Sequence, residues 1–95
     1  MLMKVSDIVE AVNGRDAGKV FFIVRTENEY AYIADGFSRK LEKPKKKKFK
    51  HLRSTAKEGG RTAEKLLAGE KVTNRELKRA LSGIMEAPHE AEEVC

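Results

Sequence analysis

The chain has 95 residues, enough for one small domain or a smaller domain with an appendage, but not for two full hydrophobic cores. Charged residues make up 37% and hydrophobic residues 40%, which is low for a globular domain but too high for a wholly disordered chain. The longest apolar run, residues 20–24, is too short to span a membrane, and Met1–Lys4 lacks the long apolar stretch of a signal peptide. The single cysteine, Cys95, cannot form an intrachain disulfide, which favours a reducing compartment. Together with the short apolar runs, this leads us to expect a cytoplasmic protein without membrane contact.

The formal net charge of +5 is concentrated in one segment. Residues 36–53 contain nine basic side chains and a single acidic one, Glu42, so this segment carries +8 and the rest of the chain −3. A basic excess this local indicates a surface that meets phosphate groups, whereas an even excess would bear on solubility alone.

Residue patterns in the first half predict three short strands joined by tight turns. The strand over residues 19–26 has apolar residues on both faces, as expected near the centre of a small sheet. The predicted strands are residues 8–12, 19–26 and 29–34, and the turns that follow them are Asn13-Gly14, Glu27-Asn28 and Asp35-Gly36.

The lysine-rich segment is a poor candidate for a long central strand because Pro44 cannot donate to a ladder. A short edge strand over residues 48–52 is expected instead, with Phe49 pointing inward. Four or five short strands with brief connections predict a mainly β fold, an antiparallel SH3-like barrel over residues 1–53.

The second half changes to helical patterns. Residues 54–62 are polar and predict a linker, followed by a short α-helical C-terminal appendage over residues 63–95. Its first helix, residues 63–68, is expected to stop at Gly69, and Thr73 to Glu76 has the spacing of a capping box.

The second helix of this appendage carries one apolar stripe, and its acidic tail is expected to fray after Pro88, where the helix should end. The stripe consists of Leu77, Ala80, Leu81, Ile84 and Met85.

The turn between the first two strands contains Gly14, Asp16 and Gly18. Both glycines can adopt positive φ at little steric cost, and Asp16 can accept hydrogen bonds from nearby backbone N–H groups. Arg15 and Lys19 then lie on or beside an exposed loop. A P-loop is excluded because the spacing is one residue short and Val20 stands where Ser or Thr must bind Mg²⁺.

This turn and its flanking strands resemble the KOW motif, a strand–loop–strand unit of ribosomal proteins and NusG-class transcription factors. Over residues 5–53 the chain is similar to small bacterial KOW-domain RNA-binding proteins, themselves similar to large-subunit ribosomal proteins of archaea and eukaryotes. One departure is that Ser6-Asp7 stands where many KOW domains have a glycine. The matching residues are Gly14, Asp16, Gly18 and Lys19, followed by Asp35-Gly36, Arg39-Lys40, Lys43-Pro44-Lys45-Lys46 and Lys50-His51-Leu52.

The resemblance implies RNA, above all ribosomal RNA, as the partner. Clustered Lys and Arg would contact phosphates without reading sequence. The basic run also has two other interpretations, a solvated charged surface and a nuclear localisation signal at residues 44–48. The candidate RNA-binding residues are Arg15, Lys19, Arg39, Lys40, Lys45, Lys46, Lys47, Lys48, Lys50 and Arg53.

Most of the aromatic residues are expected in the core, with Phe37 and one tyrosine as candidates for base stacking. His51, His89 and Cys95 are too few and too scattered for a metal site. Because no catalytic triad, paired-carboxylate pocket or dinucleotide-binding glycine pattern occurs, we expect a non-enzymatic protein without a cofactor or small-molecule substrate.

The alternative is a NusG-like protein-interaction module that docks on RNA polymerase or on a ribosomal or translation protein. Its support is the apolar stripe of the last helix together with the acidic tail, since RNA binding requires neither.

Overall fold

The computed structural model describes residues 3–94, with side chains as far as Ile84. This part of the chain is mainly β, as predicted: a five-stranded antiparallel sheet with two helices. No helix in it is long and apolar enough to cross a membrane. The elements are β1 (Ile8–Ala11), β2 (Val20–Glu27), β3 (Tyr30–Ala34), β4 (Lys45–Lys48), a 3-10 helix (Phe49–His51), β5 (Leu52–Ser54), α1 (Gly60–Ala68) and α2 (Asn74–Val94).

The strand order is β4-β3-β2-β1-β5, so β2 is central, as its two apolar faces predict. β4 and β5 lie at opposite edges although only the Phe49–His51 helix separates them in sequence. A flat sheet of five strands would place its edges about 19 Å apart at ~4.8 Å per strand, whereas a 3-10 helix advances only ~2 Å per residue. The sheet must therefore curl, although no backbone ladder joins β4 to β5 among the described residues.

The curl encloses one hydrophobic core, and the helices cover a second. Alternation along β2 directs Phe21 and Ile23 into the curl, while Phe22 points to the opposite, outer face. The enclosed core contains Val9, Ala11, Phe21, Ile23, Ala31, Ile33 and Leu52, with Phe49 packed against it. The outer core joins Ile8, Phe22 and Ala34 of the sheet to Leu77 and Leu81 of α2.

The apolar stripe of the second helix packs against the sheet. Leu77 and Leu81 are buried, and Ala80 and Ile84 pack beside them, while the side chain of Met85 lies outside the described residues. The helical half and the sheet therefore share the outer core.

The segment before α1 is also attached to the sheet. The Thr55 hydroxyl donates to the Ile8 carbonyl at 2.9 Å. A Cβ at Gly59 would lie 2.5 Å from the Phe22 ring, so only glycine allows the chain to cross so closely. Of the predicted linker over residues 54–62, Ser54 belongs to β5 and α1 begins at Gly60.

Two boundary predictions are wrong. The edge strand is Lys45–Lys48, not residues 48–52, because Pro44 lies just before it and leaves the next residues free to pair with β3. Phe49 instead opens the 3-10 helix and packs on the enclosed core.

The second error concerns the end of α2, which runs past Pro88 to Val94. A proline removes one backbone donor and its ring crowds the preceding turn, but the Glu and Ala residues on either side favour the helix. The backbone of α2 thus continues to Val94, and the acidic side chains of the tail lie outside the described residues.

The C-terminal end of α1 and the N-terminal end of α2 follow the predicted signals. Gly69 caps α1 in the left-handed conformation, with φ +75°. At the start of α2, the Thr73 N–H donates to Glu76 Oε1 at 2.9 Å, and the Glu76 N–H donates to Thr73 Oγ1 at 3.2 Å. Lys65 of α1 pairs with the same carboxylate, which ties the two helices together.

The Glu76 carboxylate predicts an acid-dependent contribution to stability. The Lys65 ammonium, and then the Thr73 N–H, hold the pKa of Glu76 below its ordinary value of 4.5. Ionised Glu76 therefore stabilises the fold above that value, and the contribution is lost as the pH falls through the lowered pKa. We expect Glu76→Gln to lower the thermal midpoint at pH 7, and the difference from the parent protein to shrink as the pH falls below 4.5. A difference that stays constant between pH 7 and pH 3 in melts followed by circular dichroism would contradict this.

Gly36 fixes how closely α2 approaches the sheet. Its φ is +80°, and a Cβ there would lie 2.0 Å from the backbone oxygen of Asn74. The Asn74 side chain also accepts a hydrogen bond from the Leu41 N–H at 2.7 Å. The first turn of α2 is thus docked directly on the loop that follows β3.

This close approach is testable by comparing two glycines with similar backbone angles. Gly18→Ala at φ +89°, with nothing within 4 Å of the added Cβ, should cost only the ~1–2 kcal/mol of left-handed strain. We expect Gly36→Ala to lower the free energy of unfolding by clearly more, because the first turn of α2 must also move. The measurement is urea denaturation of both variants, and equal losses would show that the contact with Asn74 is unimportant.

Candidate nucleic-acid interface

The loop after β3 is organised by Asp35. Its Oδ1 accepts hydrogen bonds from the backbone N–H groups of Phe37 at 2.9 Å and Arg39 at 2.8 Å, and Oδ2 accepts one from the Ser38 hydroxyl at 2.9 Å. An Asp side chain that binds the N–H groups following it is a self-contained turn. The turn leaves the Phe37 ring 68% exposed, as the sequence suggested for this residue.

This loop and β4 form a depression of about 540 Å³, which we call the basic cleft. Five cationic side chains line it, and no carboxylate is among its lining residues. A concave wall of one charge sign raises the local potential above that of the same charges on a flat surface. The cations are Arg39, Lys40, Lys43, Lys45 and Lys46, with Phe37 at the rim.

The glycine turn lies against this loop through a buried ion pair. Gly14 and Gly18 have φ of +84° and +89°, as predicted. Asp16 is only 4% exposed, and its Oδ2 accepts from Arg39 Nε at 3.3 Å and Nη2 at 2.9 Å. The expected bonds from Asp16 to nearby backbone N–H groups are replaced by this long-range pair. Arg39 is therefore held in a fixed orientation by a residue 23 positions earlier.

β4 is bound to the same turn by Lys47, whose Nζ donates to the Asn13 carbonyl at 3.0 Å. The curl of the sheet brings these two elements together, although β4 and the turn are far apart in sequence. The structure thus brings the glycine turn, Arg39 and the lysine strand into one region.

Strand alternation divides the four lysines of β4 between two faces. Lys45 and Lys47 are opposite Ile33 and Ala31, whose side chains enter the enclosed core, whereas Lys46 and Lys48 are opposite Tyr32 and Tyr30. Lys45 and Lys46 are exposed, while Lys47 and Lys48 are half-buried.

Aromatic and cationic side chains interleave on the outer face. The Arg25 guanidinium lies 4.1 Å from the centre of the Tyr32 ring, and Lys46 Nζ lies 4.5 Å from that of Tyr30. We call the group Arg25, Tyr30, Tyr32, Lys46 and Lys48 the tyrosine face. Arg25 was not among the predicted site residues, because a shift of register between Ile23 and Arg25 is what places it opposite Tyr32.

The other predicted residues are more scattered. Arg15, Lys19 and Lys50 are exposed and do not line the basic cleft, and Lys19 Nζ lies 4.0 Å from Asp16 Oδ1. Arg53 lies on β5, at the opposite edge of the sheet order, and pairs with Glu10 of β1. It does not belong to the basic cleft.

The described residues contain no group of three or more His, Cys, Asp or Glu side chains that could hold a metal ion. His89 and Cys95 lie outside the residues whose side chains are described.

Comparison with known proteins adds no assignment: no family model matches the chain, and no curated protein matches it. The chemistry of the site therefore carries the functional argument.

The Asp16–Arg39 pair is expected to matter more for stability than an exposed ion pair. Asp16→Asn removes the charge opposite a partly buried guanidinium, and should lower the free energy of unfolding by about 1–3 kcal/mol. The matched control is Glu10→Gln, which removes the carboxylate that pairs with Arg53, a side chain 67% exposed. Glu10→Gln should lower the free energy of unfolding by less than about 1 kcal/mol. Urea denaturation measures both, and a larger loss for Glu10→Gln would reverse this ranking.

Proposed function

We propose that the protein binds RNA without catalysing a reaction, with its basic cleft against the phosphates, and that ribosomal RNA is its target. The observation that carries the proposal is the clustering of five cations in one concave surface whose lining contains no carboxylate, with only Arg39, among the described residues, paired to an acidic residue outside it, Asp16. Lysine and arginine that neutralise phosphates release condensed counterions, which favours binding whatever the sequence. Arg39 supports phosphate contact in a fixed direction, since Asp16 holds its guanidinium.

The glycine turn supplies the second element of the interface. Arg15 and Lys19 are exposed on either side of Asp16, and Lys47 reaches this turn from β4. A nucleic-acid backbone lying in the basic cleft would therefore meet further positive charge at the turn.

The fold proposed for this chain is an SH3-like KOW barrel. The support is a curled five-stranded sheet whose first two strands flank the glycine turn. Ser6 adds to it, because its φ of +85° is a left-handed conformation at a position where many KOW domains have a glycine. The preference for RNA over DNA and the ribosomal target depend on this resemblance, since lysines and phosphates alone do not distinguish the nucleic acids.

The alternative of a protein-docking module loses part of its support. It depended on the apolar stripe of α2, but Leu77 and Leu81 of that stripe are buried against the sheet. A surface already covered within the molecule is not available to a partner.

The proposal predicts a strong salt dependence that a cleft variant should reduce. If all five cleft cations meet phosphates, the logarithm of the association constant should fall with log salt concentration at a slope of about −3.5 to −4.5. The variant carries Lys40→Gln, Lys43→Gln, Lys45→Gln and Lys46→Gln. It should bind a ribosomal RNA fragment at least about tenfold more weakly at low salt, with a slope smaller in magnitude by about 3.

The control removes the same charge elsewhere, at four exposed residues outside the basic cleft. It carries Lys57→Gln, Arg61→Gln, Lys71→Gln and Arg75→Gln. Fluorescence anisotropy of labelled RNA over a range of salt concentrations compares the two variants. Equal losses would mean that net charge, rather than the basic cleft, drives binding, and unchanged affinity of the cleft variant would place the site elsewhere.

A further inference from the structure

We infer that the tyrosine face stacks unpaired bases of the RNA whose phosphates lie in the basic cleft, so that the protein selects single-stranded over double-stranded segments. This inference rests on the proposed RNA binding and names the class of RNA. Duplex bases are already stacked on their neighbours and cannot reach a protein ring, whereas splayed bases can.

The two rings are well placed to receive separate bases. Tyr30 and Tyr32 lie on the same side of β3, about 6.6 Å apart along the strand at ~3.3 Å per residue. Bases that remain stacked on each other are only about 3.4 Å apart. The spacing therefore suits two bases that have been separated from each other, as in a loop or an extended strand.

Both tyrosine side chains are partly exposed at the surface. Both tyrosines are half-buried, and neither belongs to either hydrophobic core. The Tyr32 hydroxyl donates to Glu27 Oε1 at 2.9 Å, which restricts the position of the side chain and satisfies its polar group. A side chain whose position is already restricted loses less freedom when a base stacks on it.

The cations over the rings do not prevent stacking. An exposed lysine over an aromatic ring is held more weakly than a nucleobase stacked there. A base that replaces the Lys46 ammonium over Tyr30 would release it to a phosphate of the same strand. The planar Arg25 guanidinium on Tyr32 can itself be stacked on by a base.

The tyrosine face is continuous with the basic cleft through Lys46. This residue lines the cleft, and its Nζ lies 4.5 Å from the Tyr30 ring centre and 6.0 Å from that of Tyr32. One RNA strand can therefore place its phosphates in the basic cleft and its bases on the tyrosine face.

The composition of the chain provides a direct optical test. It has two tyrosines, both on this face, and no tryptophan, so intrinsic emission reports on the tyrosine face alone. The parent protein is titrated with oligo(U) of about 12 nucleotides and, separately, with an RNA duplex of the same length. Free N-acetyltyrosinamide corrects for light absorbed by the RNA. We expect oligo(U) to quench the emission at the concentrations where it binds, and the duplex to leave it nearly unchanged.

Two double variants distinguish the effect of the aromatic rings from the effect of side-chain bulk. Tyr30→Leu with Tyr32→Leu keeps apolar bulk but removes the aromatic surface, and should weaken oligo(U) binding about five- to tenfold while changing duplex binding less than about twofold. Tyr30→Phe with Tyr32→Phe keeps both rings and should stay within about twofold of the parent for either RNA. Circular dichroism establishes that each variant is folded. If the leucine variant does not fold, the quenching of tyrosine emission in the parent protein by oligo(U) and by the duplex is the test of base stacking.

The outcomes distinguish the two proposals. If labelled oligo(U) binds with the expected salt dependence but without quenching, or equally well to the leucine variant, base stacking is overturned and RNA binding stands. Equal quenching by oligo(U) and the duplex also overturns it. If neither RNA binds, the proposed function itself fails.

Discussion

The three-residue link between the two edge strands is the constraint on which the rest of the structure depends. Phe49–His51 leads from β4, at one edge, to β5, at the other, so the sheet must curl to bring these edges close. The curl encloses one core, and it brings β4 next to the glycine turn, where Lys47 reaches the Asn13 carbonyl. The attachment of β4 to the glycine turn is thus a consequence of this short connection.

The lysine strand serves both the fold and the proposed site. β4 is an edge strand, and a row of lysines on an exposed edge discourages pairing with another chain. The same row supplies cations to two surfaces, since Lys45 and Lys46 line the basic cleft and Lys46 and Lys48 lie over the Tyr30 ring. The basic cleft and the tyrosine face thus share one strand, with Lys46 belonging to both.

The helical half supports the loop of the proposed interface. Its second helix docks on the loop after β3, where Gly36 allows backbone contact and Asn74 accepts from the Leu41 N–H. Asn74 also donates to Glu42, which lowers the pKa of that carboxyl group. Loss of α2 would therefore disturb the loop that carries Phe37 and Arg39 as well as the outer core.

The sequence alone was sufficient for several elements whose signals are local, although Pro88 did not end α2 as predicted. Turn dipeptides, the alternation in β2 and the spacing of Thr73 and Glu76 each depend on residues a few positions apart, and they predicted the central strand, the glycine turn and the start of α2. The basic segment and the exposure of Phe37 were also recognised, since charge density and chain position are visible without a fold.

Only the tertiary structure decided which distant residues meet. The partner of Asp16 lies 23 positions away, and the register shift in β2 brings Arg25 to Tyr32. The position of the edge strand likewise follows from its pairing with β3, because four lysines have no periodicity that distinguishes strand from loop. Local preference determines which elements form, but burial and register determine which charges are paired and which remain exposed.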